Sequence, residues 1–375
     1  MNKKKILCFC LALGAFSAMM AQETLSLSQC LQMAVDNNLS LQKSRNEIAK
    51  GKYSISENQA KLLPQINAVA QLNDNFTPPV SVTDGSAYGK PYNVTKTLQY
   101  NASAGLQLQM PLYNQMVNTA IDIAKIADHL NQLSYEKARE DLIVQTAKMY
   151  YMAQNTAEQI RLVNDNIKRL EELYGITQAF YDNQMSLEVD VKRVKLNIEN
   201  LTVQRDNAIA MLDQQYTMLK YVIDYPADKQ IKVSEVNPGE IETVNANGLN
   251  THLYELQLLE KRKELAQKQT QLAKDGYLPS VSLTGSLMYS AFTDKIEHWI
   301  HSGESNHWYG SNGIGIQLRV PVFDGFEKRS KIRRAKMEEE NARIGYEDAL
   351  KGMQANYMNA VSEVNNSQRN YKKQF

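Results

Sequence analysis

Apolar and polar residues alternate with a period of two along four separate segments of the chain. These segments are residues 64–75, 97–110, 279–290 and 308–320. In the second segment, Leu106, Leu108 and Met110 occupy one set of alternate positions, and glutamine or asparagine occupies much of the other set. This period predicts β-strands with one apolar face and one polar face. The segments approach the roughly 9–11 residues that a tilted strand needs to cross a lipid bilayer.

The polar faces of these strands are rich in Gln, Asn, Ser and Gly, a composition that suits a water-filled lumen. The candidate lumen-facing residues are Gln99, Asn101, Gln107, Gln109, Gln317 and Arg319. A soluble sheet with one wet face would alternate in the same way. However, long connections at about residues 75–97 and 291–307 join the strands of each pair, as the extracellular loops of barrels do. Arg319 either biases passage toward anions or is a wet surface arginine near a strand end.

Between the strand pairs, apolar residues recur at the steps of three and four that predict helices. Residues 114–181 predict one long helix, and residues 187–222 predict a second, which completes a hairpin over 114–222. The second helix carries two apolar stripes on roughly opposite sides. It therefore packs against two neighbours, in either a cylinder wall or a coiled-coil bundle. Shorter helices are predicted at residues 28–61 and 249–274.

The chain repeats itself at an offset of 210 to 215 residues. The matching segments are Leu62-Leu63-Pro64 with Tyr277-Leu278-Pro279, and Met110-Pro111-Leu112-Tyr113 with Val320-Pro321-Val322-Phe323. A repeat of this length indicates a duplicated structural unit. The predicted organisation is a first repeat at 22–223, a linker or equatorial segment at 224–247 and a second repeat at 248–375, with its long helix from 324.

The N-terminal residues 1–21 have the order of a secretory signal peptide: three lysines, an apolar run and small residues before Ala21. Removing the three lysines takes the formal charge from +1 to −2, which gives no electrostatic basis for binding nucleic acid. Cys30 is then the one remaining cysteine, so neither an internal disulfide nor a cysteine metal site is predicted. Beyond residue 21, no apolar stretch has the length of a spanning helix.

Four strands are too few to close a barrel, since outer-membrane barrels start at about eight strands. A sheet in lipid must close, because no water is present to bind its unpaired edges. The chain must therefore oligomerise if its strands span the membrane. Two copies would supply eight strands and three copies would supply twelve, and the strand pattern leaves that number open.

These features resemble the TolC-type outer membrane efflux protein family, the trimeric channel-tunnels of drug efflux pumps and type I secretion. The resemblance rests on the Leu-Pro strand starts at Leu63 and Leu278, on the two proline-containing strand-to-helix turns and on Arg333-Arg334-Ala335. It includes a helical tip at residues 179–191, which is similar to the family's aromatic-x-x-Gly-x-x-(Ser/Thr)-x-x-Asp-Val turn. The match covers about residues 24–375.

The resemblance implies a mainly α fold with transmembrane β-strands, in which a trimeric 12-stranded β-barrel continues as a periplasmic α-helical barrel of long coiled-coil helices. It implies a homotrimer in outer-membrane lipid, a periplasmic adaptor (membrane fusion) protein docked at the tip and an inner-membrane transporter that supplies energy. Asp182, Asn183 and Asp190 are the candidate tip or gate residues. Asn183 stands at the family's glycine position, where asparagine tolerates left-handed geometry. Asp190 either takes part in closure or is a helix N-terminal carboxylate stabilised by the helix dipole.

We therefore expect an outer-membrane channel subunit that gives passive exit to drugs, small molecules or secreted polypeptides, with no enzymatic activity and no cofactor. The alternative is a soluble periplasmic coiled-coil adaptor or structural protein. His298, His301 and His307 match no standard zinc spacing and predict a solvated loop instead. By the repeat offset, the sequence ends before the tip of the second hairpin, so we expect that hairpin to be truncated.

Overall fold

The computed structural model describes residues 23–235, 253–295, 297 and 308–374. The strands are β1 (Glu23–Leu25), β2 (Gln65–Asp74), β3 (Val80–Asp84), β4 (Tyr92–Lys96), β5 (Tyr100–Tyr113), β6 (Ile231–Val233), β7 (Ser280–Thr293) and β8 (Trp308–Arg319). The helices are α1 (Leu27–Asn37), α2 (Leu39–Ala60), α3 (Gln115–Asp182), α4 (Glu188–Val222), α5 (Tyr254–Asp275) and α6 (Glu327–Gln374). The predicted signal peptide lies outside the described residues. None of the helices described here is both long enough and apolar enough to span a bilayer.

Four strands form one antiparallel sheet in the order β2-β5-β7-β8. This sheet lies within the compact unit formed by residues 48–131 and 250–358. Each of the four alternating sequence segments supplies one strand, so the predicted four strands are confirmed. The second segment differs in its limits, because β5 starts at Tyr100 rather than 97 and continues through Pro111 to Tyr113. The pairing with β7 shifts its register between Pro111 and Tyr113, which accommodates a residue that cannot donate a backbone hydrogen bond.

The connection at 75–97, predicted as a loop, contains a second pair of strands. Strands β3 and β4 form an antiparallel hairpin in which Val82 pairs with Val94. A short 3-10 helix, Ser86–Tyr88, forms the turn, and the Asp84 carboxylate accepts hydrogen bonds from the backbone N–H and hydroxyl of Ser86. These two bonds hold the pKa of Asp84 below its usual value. Strands of five residues between turn residues give too short an alternation to separate from a loop.

The long helices follow the predicted pattern closely. Helix α3 has 68 residues and runs without interruption from the end of β5 to the tip turn. At ~1.5 Å per residue it is about 100 Å long. Helix α4 returns over 35 residues. Helices of this length depend on lateral packing of their apolar stripes rather than on helix propensity.

The helix predicted at 28–61 is in fact two helices, α1 and α2, which meet at Asn38. The Asn38 carboxamide oxygen accepts hydrogen bonds from the backbone N–H groups of Ser40 and Leu41, at 2.9 Å and 3.2 Å, and so caps α2. Its side-chain N–H donates to the Val222 carbonyl at 3.0 Å. Asparagine is a favoured N-cap because its side chain replaces the missing helical acceptor. The break is a local capping effect that apolar periodicity does not report.

The segment predicted to be a linker at 224–247 contains β6, which pairs in parallel with β1. Both strands belong to the unit that includes residues 1–47 and 132–249. Ile231 and Val233 are buried and join a core with Leu25, Tyr150 and Leu219. The middle of the predicted linker is thus a structural strand, and residues 236–247 lie outside the described part of the chain.

Tyr150 holds this small sheet through its hydroxyl group. The hydroxyl donates to the Leu25 carbonyl at 3.1 Å, contacts the Ser234 hydroxyl at 2.5 Å and accepts from the Ser234 backbone N–H at 3.1 Å. The side chain is 2% exposed, so removing the hydroxyl breaks these buried hydrogen bonds, and the Ser234 N–H keeps only its bond to the Leu25 carbonyl at 3.2 Å. A hydrogen bond of this kind contributes about 0.5–1.5 kcal/mol to stability.

We predict that Tyr150→Phe accelerates hydrogen exchange in β1 and β6 by tenfold or more, because about 1.4 kcal/mol corresponds to a factor of ten. Mass-spectrometric exchange on the detergent-purified protein measures this directly. Tyr151→Phe is the matched control, since the neighbouring ring is 55% exposed. Equal protection in both variants would show that the hydroxyl does not hold the sheet.

Candidate functional site

The registers of the four-stranded sheet place the predicted polar residues on one face. Directly opposed residues of antiparallel strands point to the same side. One such row is Gln65, Gln109, Thr284 and Gly315, and the next is Asn67, Gln107, Ser286 and Gly313. Asn101 joins the same face through its pairs with Asn73 and Phe292. Toward the end of β8, Gln317 pairs with Ser282 and Arg319 pairs with Ser280.

Gln99 is the one candidate lumen residue that the structure leaves outside the strands. It precedes the first residue of β5, and its side-chain N–H donates to the Asp74 carboxylate at 3.0 Å. Its backbone carbonyl accepts from the Asn75 N–H at 2.8 Å. Gln99 therefore closes the end of the β2–β5 ladder. The alternation in the sequence continues past the start of β5, although the chain bends at Gln99.

The opposite face of the sheet is apolar and exposed. Its rows join Ile66, Leu108 and Ile314, then Leu106 and Leu287, and then Leu72 and Trp308 through Ala102 and Ala291. Ile314 and Ile316 in the edge strand β8 are 76% and 71% exposed. Exposed apolar surface of this extent marks an interaction site for protein or lipid.

One row of the polar face breaks the pattern, at Val69, Gly105 and Met288. A Cβ atom on Gly105 would lie 2.1 Å from the Leu287 carbonyl oxygen and 2.6 Å from the Met288 sulfur. Glycine is required here because the neighbouring backbone approaches so closely. In the sequence, the apolar Val69 at a polar position indicated this irregular row. The residues that pair with Val69 in the row could be identified only from the strand register.

At the end of the sheet nearest the long helices, the polar face borders a cleft of about 190 Å³. Three predicted residues meet in this cleft: Gln109, Gln317 and Arg319. Its other lining residues are Pro111, Tyr113, Asn114, Ser280, Val281 and Ser282. The structure thus brings together candidates from β5 and β8, which are 208 residues or more apart in sequence.

The turn after β8 contains the carboxylate of Asp324, which interacts with a residue close to it in sequence. Asp324 accepts a hydrogen bond from the Lys328 backbone N–H at 3.0 Å and lies 3.1 Å from the Lys328 ammonium group. These interactions lower the pKa of Asp324, with the backbone hydrogen bond as the main cause. Gly325 and Phe326 both have positive φ angles, 63° and 67°, so the chain reverses sharply into α6.

The tip turn between α3 and α4 differs from the prediction by one residue. The residue with the left-handed backbone is Gln184, with φ 61°, and not Asn183. The Gln184 N–H donates to the Tyr181 carbonyl at 2.9 Å, and the Met185 N–H donates to the Phe180 carbonyl at 2.8 Å. This pair of bonds is the Schellman helix end, which normally has glycine in the left-handed place.

Asn183 instead acts as a cap, since its side-chain N–H donates to the Ala179 carbonyl at 2.7 Å. Asp182 is the last residue of α3 and accepts from the Gln178 side chain at 2.8 Å. Counted back from Asp190, the family's turn places its glycine at Gln184 and its Ser/Thr at Leu187. Leu187 is the N-cap of α4 and makes no side-chain capping bond. The spacing from Asp190 was thus the signal that would have located the turn.

Asp190 lies in the first turn of α4, together with Glu188. Its carboxylate is 3.4 Å from the Arg193 guanidinium, and Glu188 lies 2.7 Å from the Lys192 ammonium group. The hydrogen bond to Glu188 raises the pKa of Lys192. Carboxylates in a first helical turn suit the helix dipole, and each of these two also forms an ion pair with a cation three or four residues later. These local interactions are therefore sufficient to explain Asp190 as a helix N-terminal carboxylate, without a role in a gate.

His298, His301 and His307 lie outside the described residues. Among the residues that the structure does describe, no three His, Cys, Asp or Glu side chains are grouped closely enough to hold a metal ion. Cys30 is buried and free, and burial raises the pKa of its thiol to about 11. A thiol with this pKa is unreactive at neutral pH.

Comparison with known proteins matches the family described as outer membrane efflux protein over residues 30–219 and 254–374. Outer membrane protein TolC of Escherichia coli (strain K12) is 23% identical over 368 residues, which are 95% of this chain and 71% of that protein. Outer membrane protein VceC of Vibrio cholerae superposes with a TM-score of 0.70 at 16% identity, over 92% of this chain and 79% of that one. For CusC the TM-score is 0.71 at 15% identity, over 93% and 78%.

We predict that Gln184→Gly stabilises the tip turn, because a non-glycine residue in left-handed geometry costs roughly 1–2 kcal/mol. Hydrogen exchange at the amides of residues 184 and 185 should slow by roughly five- to thirtyfold. Asn183→Gly is the matched control: it loses the bond to Ala179 and should make exchange faster. If Asn183→Gly slowed exchange and Gln184→Gly accelerated it, the left-handed residue would be residue 183.

Proposed function

Because the chain belongs to the outer membrane efflux protein family, we propose that it conducts drugs, small molecules or secreted polypeptides passively out of the periplasm. The chain is an outer-membrane channel subunit with helices that extend into the periplasm. The observation that carries the proposal is the amphipathic sheet with its two unpaired edges. The apolar face contacts lipid, and the polar face lines the lumen.

Among the residues that the structure describes, the edge strands β2 and β8 have no partner on their outer sides in the sheet of one chain. In a homotrimer, β8 of each copy pairs with β2 of the next, and twelve strands close. Closure pairs every backbone donor and acceptor that would otherwise have no hydrogen-bond partner in lipid. Three copies of the four-stranded sheet then give a lumen whose wall consists mainly of Gln, Asn, Ser, Thr and Gly.

The lumen candidates Asn101, Gln107, Gln109, Gln317 and Arg319 project from this wall in our proposal. Amide and hydroxyl groups bind water and polar solutes weakly and without selectivity for shape. Conduction requires binding that is weak enough for release. The wall therefore suits cargo of varied structure, which enters from a partner rather than through recognition in the barrel.

The α3–α4 tip is the proposed docking site for a periplasmic adaptor, and an inner-membrane transporter supplies the energy. Asp182, Asn183 and Asp190 lie at this tip, and Asp190 takes part in closing it. We infer that the chain has no catalytic activity of its own. The family assignment supports the channel and gives no support to a soluble adaptor or spacer.

The proposed function is tested by mass and by conductance. In detergent, native mass spectrometry should give three subunits, and the purified protein should form water-filled channels in planar bilayers. A monomer that stays soluble without detergent, or a trimer that conducts no ions, would overturn the proposal.

For the gate, we predict that Asp190→Asn raises the mean single-channel conductance, because it removes a carboxylate that holds the tip closed. Asp206→Asn is the matched control, since Asp206 also pairs with an arginine on α4, Arg205, at 2.8 Å. It lies 16 residues from Asp190, or about 24 Å along the helix. Equal conductance of wild type and Asp190→Asn would remove Asp190 from the gate.

A further inference from the structure

The polar face of the four-stranded sheet carries a single formal charge. Of the residues in β2, β5, β7 and β8, two are ionised at neutral pH, Asp74 and Arg319. Asp74 pairs with Tyr100 in a row that belongs to the apolar face, at the far end of β2. Arg319 pairs with Ser280 on the polar face, at the end nearest the helices.

The surroundings of Arg319 are neutral. The cleft that it lines contains amide, hydroxyl and apolar side chains from β5, β7 and β8, and no carboxylate among its described lining residues. Within the described part of the chain, its guanidinium has no ion-pair partner. Its side chain is exposed. The positive charge is therefore presented to the water in the cleft.

The carboxylates that follow β8 are already engaged. Asp324 is held by Lys328, and Glu327 lies 2.5 Å from the Lys331 ammonium group. In the proposed trimer, the edge strand of a second copy also brings no carboxylate close to Arg319. When β8 meets β2 of a neighbour in antiparallel pairing, the end of β8 that carries Arg319 lies toward the start of β2, which begins at Gln65. The preceding charged residue is Lys61, and Asp74 lies at the other end.

We propose that Arg319 makes the inner end of the barrel lumen a weakly anion-attracting section, with one arginine from each of three subunits. This proposal rests on the proposed channel function. Anionic solutes, such as carboxylates, phosphates and chloride, are enriched at this level, and cations are depleted. Rings of arginine or lysine select for anions in other pores by the same electrostatic effect.

The effect is short in range and depends on salt. Residues two apart on a strand are about 6.7 Å apart, which is within the Debye length of about 10 Å at 0.1 M salt. A single unit charge at this distance in water, partly screened, changes the relative concentration of a monovalent anion over a cation by about threefold. At eight residues, or about 26 Å, screening removes the effect.

The local potential can be measured without opening the tip. Gln317→Cys places a thiol on the polar face two residues from Arg319, and Cys30 is buried and does not compete. We expect the anionic reagent MTSES to react about three times faster, relative to the cationic reagent MTSET, with Arg319 present than with Arg319→Gln. The difference should disappear in 1 M salt, where the Debye length is about 3 Å.

Ser311→Cys is the matched control, since Ser311 lies on the same strand and face, eight residues from Arg319. Its rate ratio should not respond to Arg319→Gln. Two results would overturn the proposal. One is a rate ratio for the Gln317→Cys thiol that is independent of Arg319, and the other is that neither reagent reaches this thiol in the folded trimer.

Planar-bilayer reversal potentials in a KCl gradient give the second readout. Arg319→Gln should lower the chloride-to-potassium permeability ratio, and Gln317→Arg combined with Arg319→Gln should restore it, because the charge returns to the same face. A double variant that folds as a trimer but stays at the Arg319→Gln ratio would contradict an electrostatic role. A protein that forms no channel would refute the proposed function, whereas the reagent ratios of the Gln317→Cys thiol would still decide the inference about Arg319.

Discussion

The two open edges of the four-stranded sheet determine how this chain can exist in a membrane. A backbone N–H or C=O group in the hydrocarbon region has no water to bind, so each costs several kcal/mol when it is left unpaired. Strands β2 and β8 present a row of such groups on their outer sides. In our proposal the chain is consequently incomplete as a single copy in lipid, and the neighbouring copies in a trimer supply the missing partners. The lumen, its wall and any site within it exist only after this closure.

Closure also explains why the two faces of the sheet are so different in chemistry. One face keeps Leu, Ile and Tyr exposed at levels that a soluble monomer would rarely tolerate. The other keeps amides, hydroxyls and glycine in register across all four strands, so polar rows run around the wall rather than in isolated spots. A one-residue slip between any two strands would move residues of the polar face to the apolar face. Both faces of the sheet therefore strongly favour this register energetically.

The sequence predicted those parts of the fold that depend on long, regular periods. The alternation in β5 and the apolar steps in α3 each extend over many residues, so local exceptions do not hide them. It failed where a structure is short or depends on a distant partner. Strands β1 and β6 have three residues each and pair across 206 positions or more, and their burial comes from Tyr150, which no local pattern connects to them. The break at Asn38 and the left-handed Gln184 are single-residue capping events of the same kind.

The candidate site also has a part that could be predicted from the sequence and a part that could not, for a physical reason. Membership of the polar face follows from period two, so Gln107, Gln109 and Gln317 could be assigned to it from the sequence. The isolation of Arg319 could not, because it depends on what the neighbouring strands and the Asp324 turn do with their own charges. A charge in a neutral, hydrated wall needs no partner for stability, since water solvates it. The folding of β8 therefore does not require this charge, and the effect that we propose for Arg319 is on the ions that pass the wall.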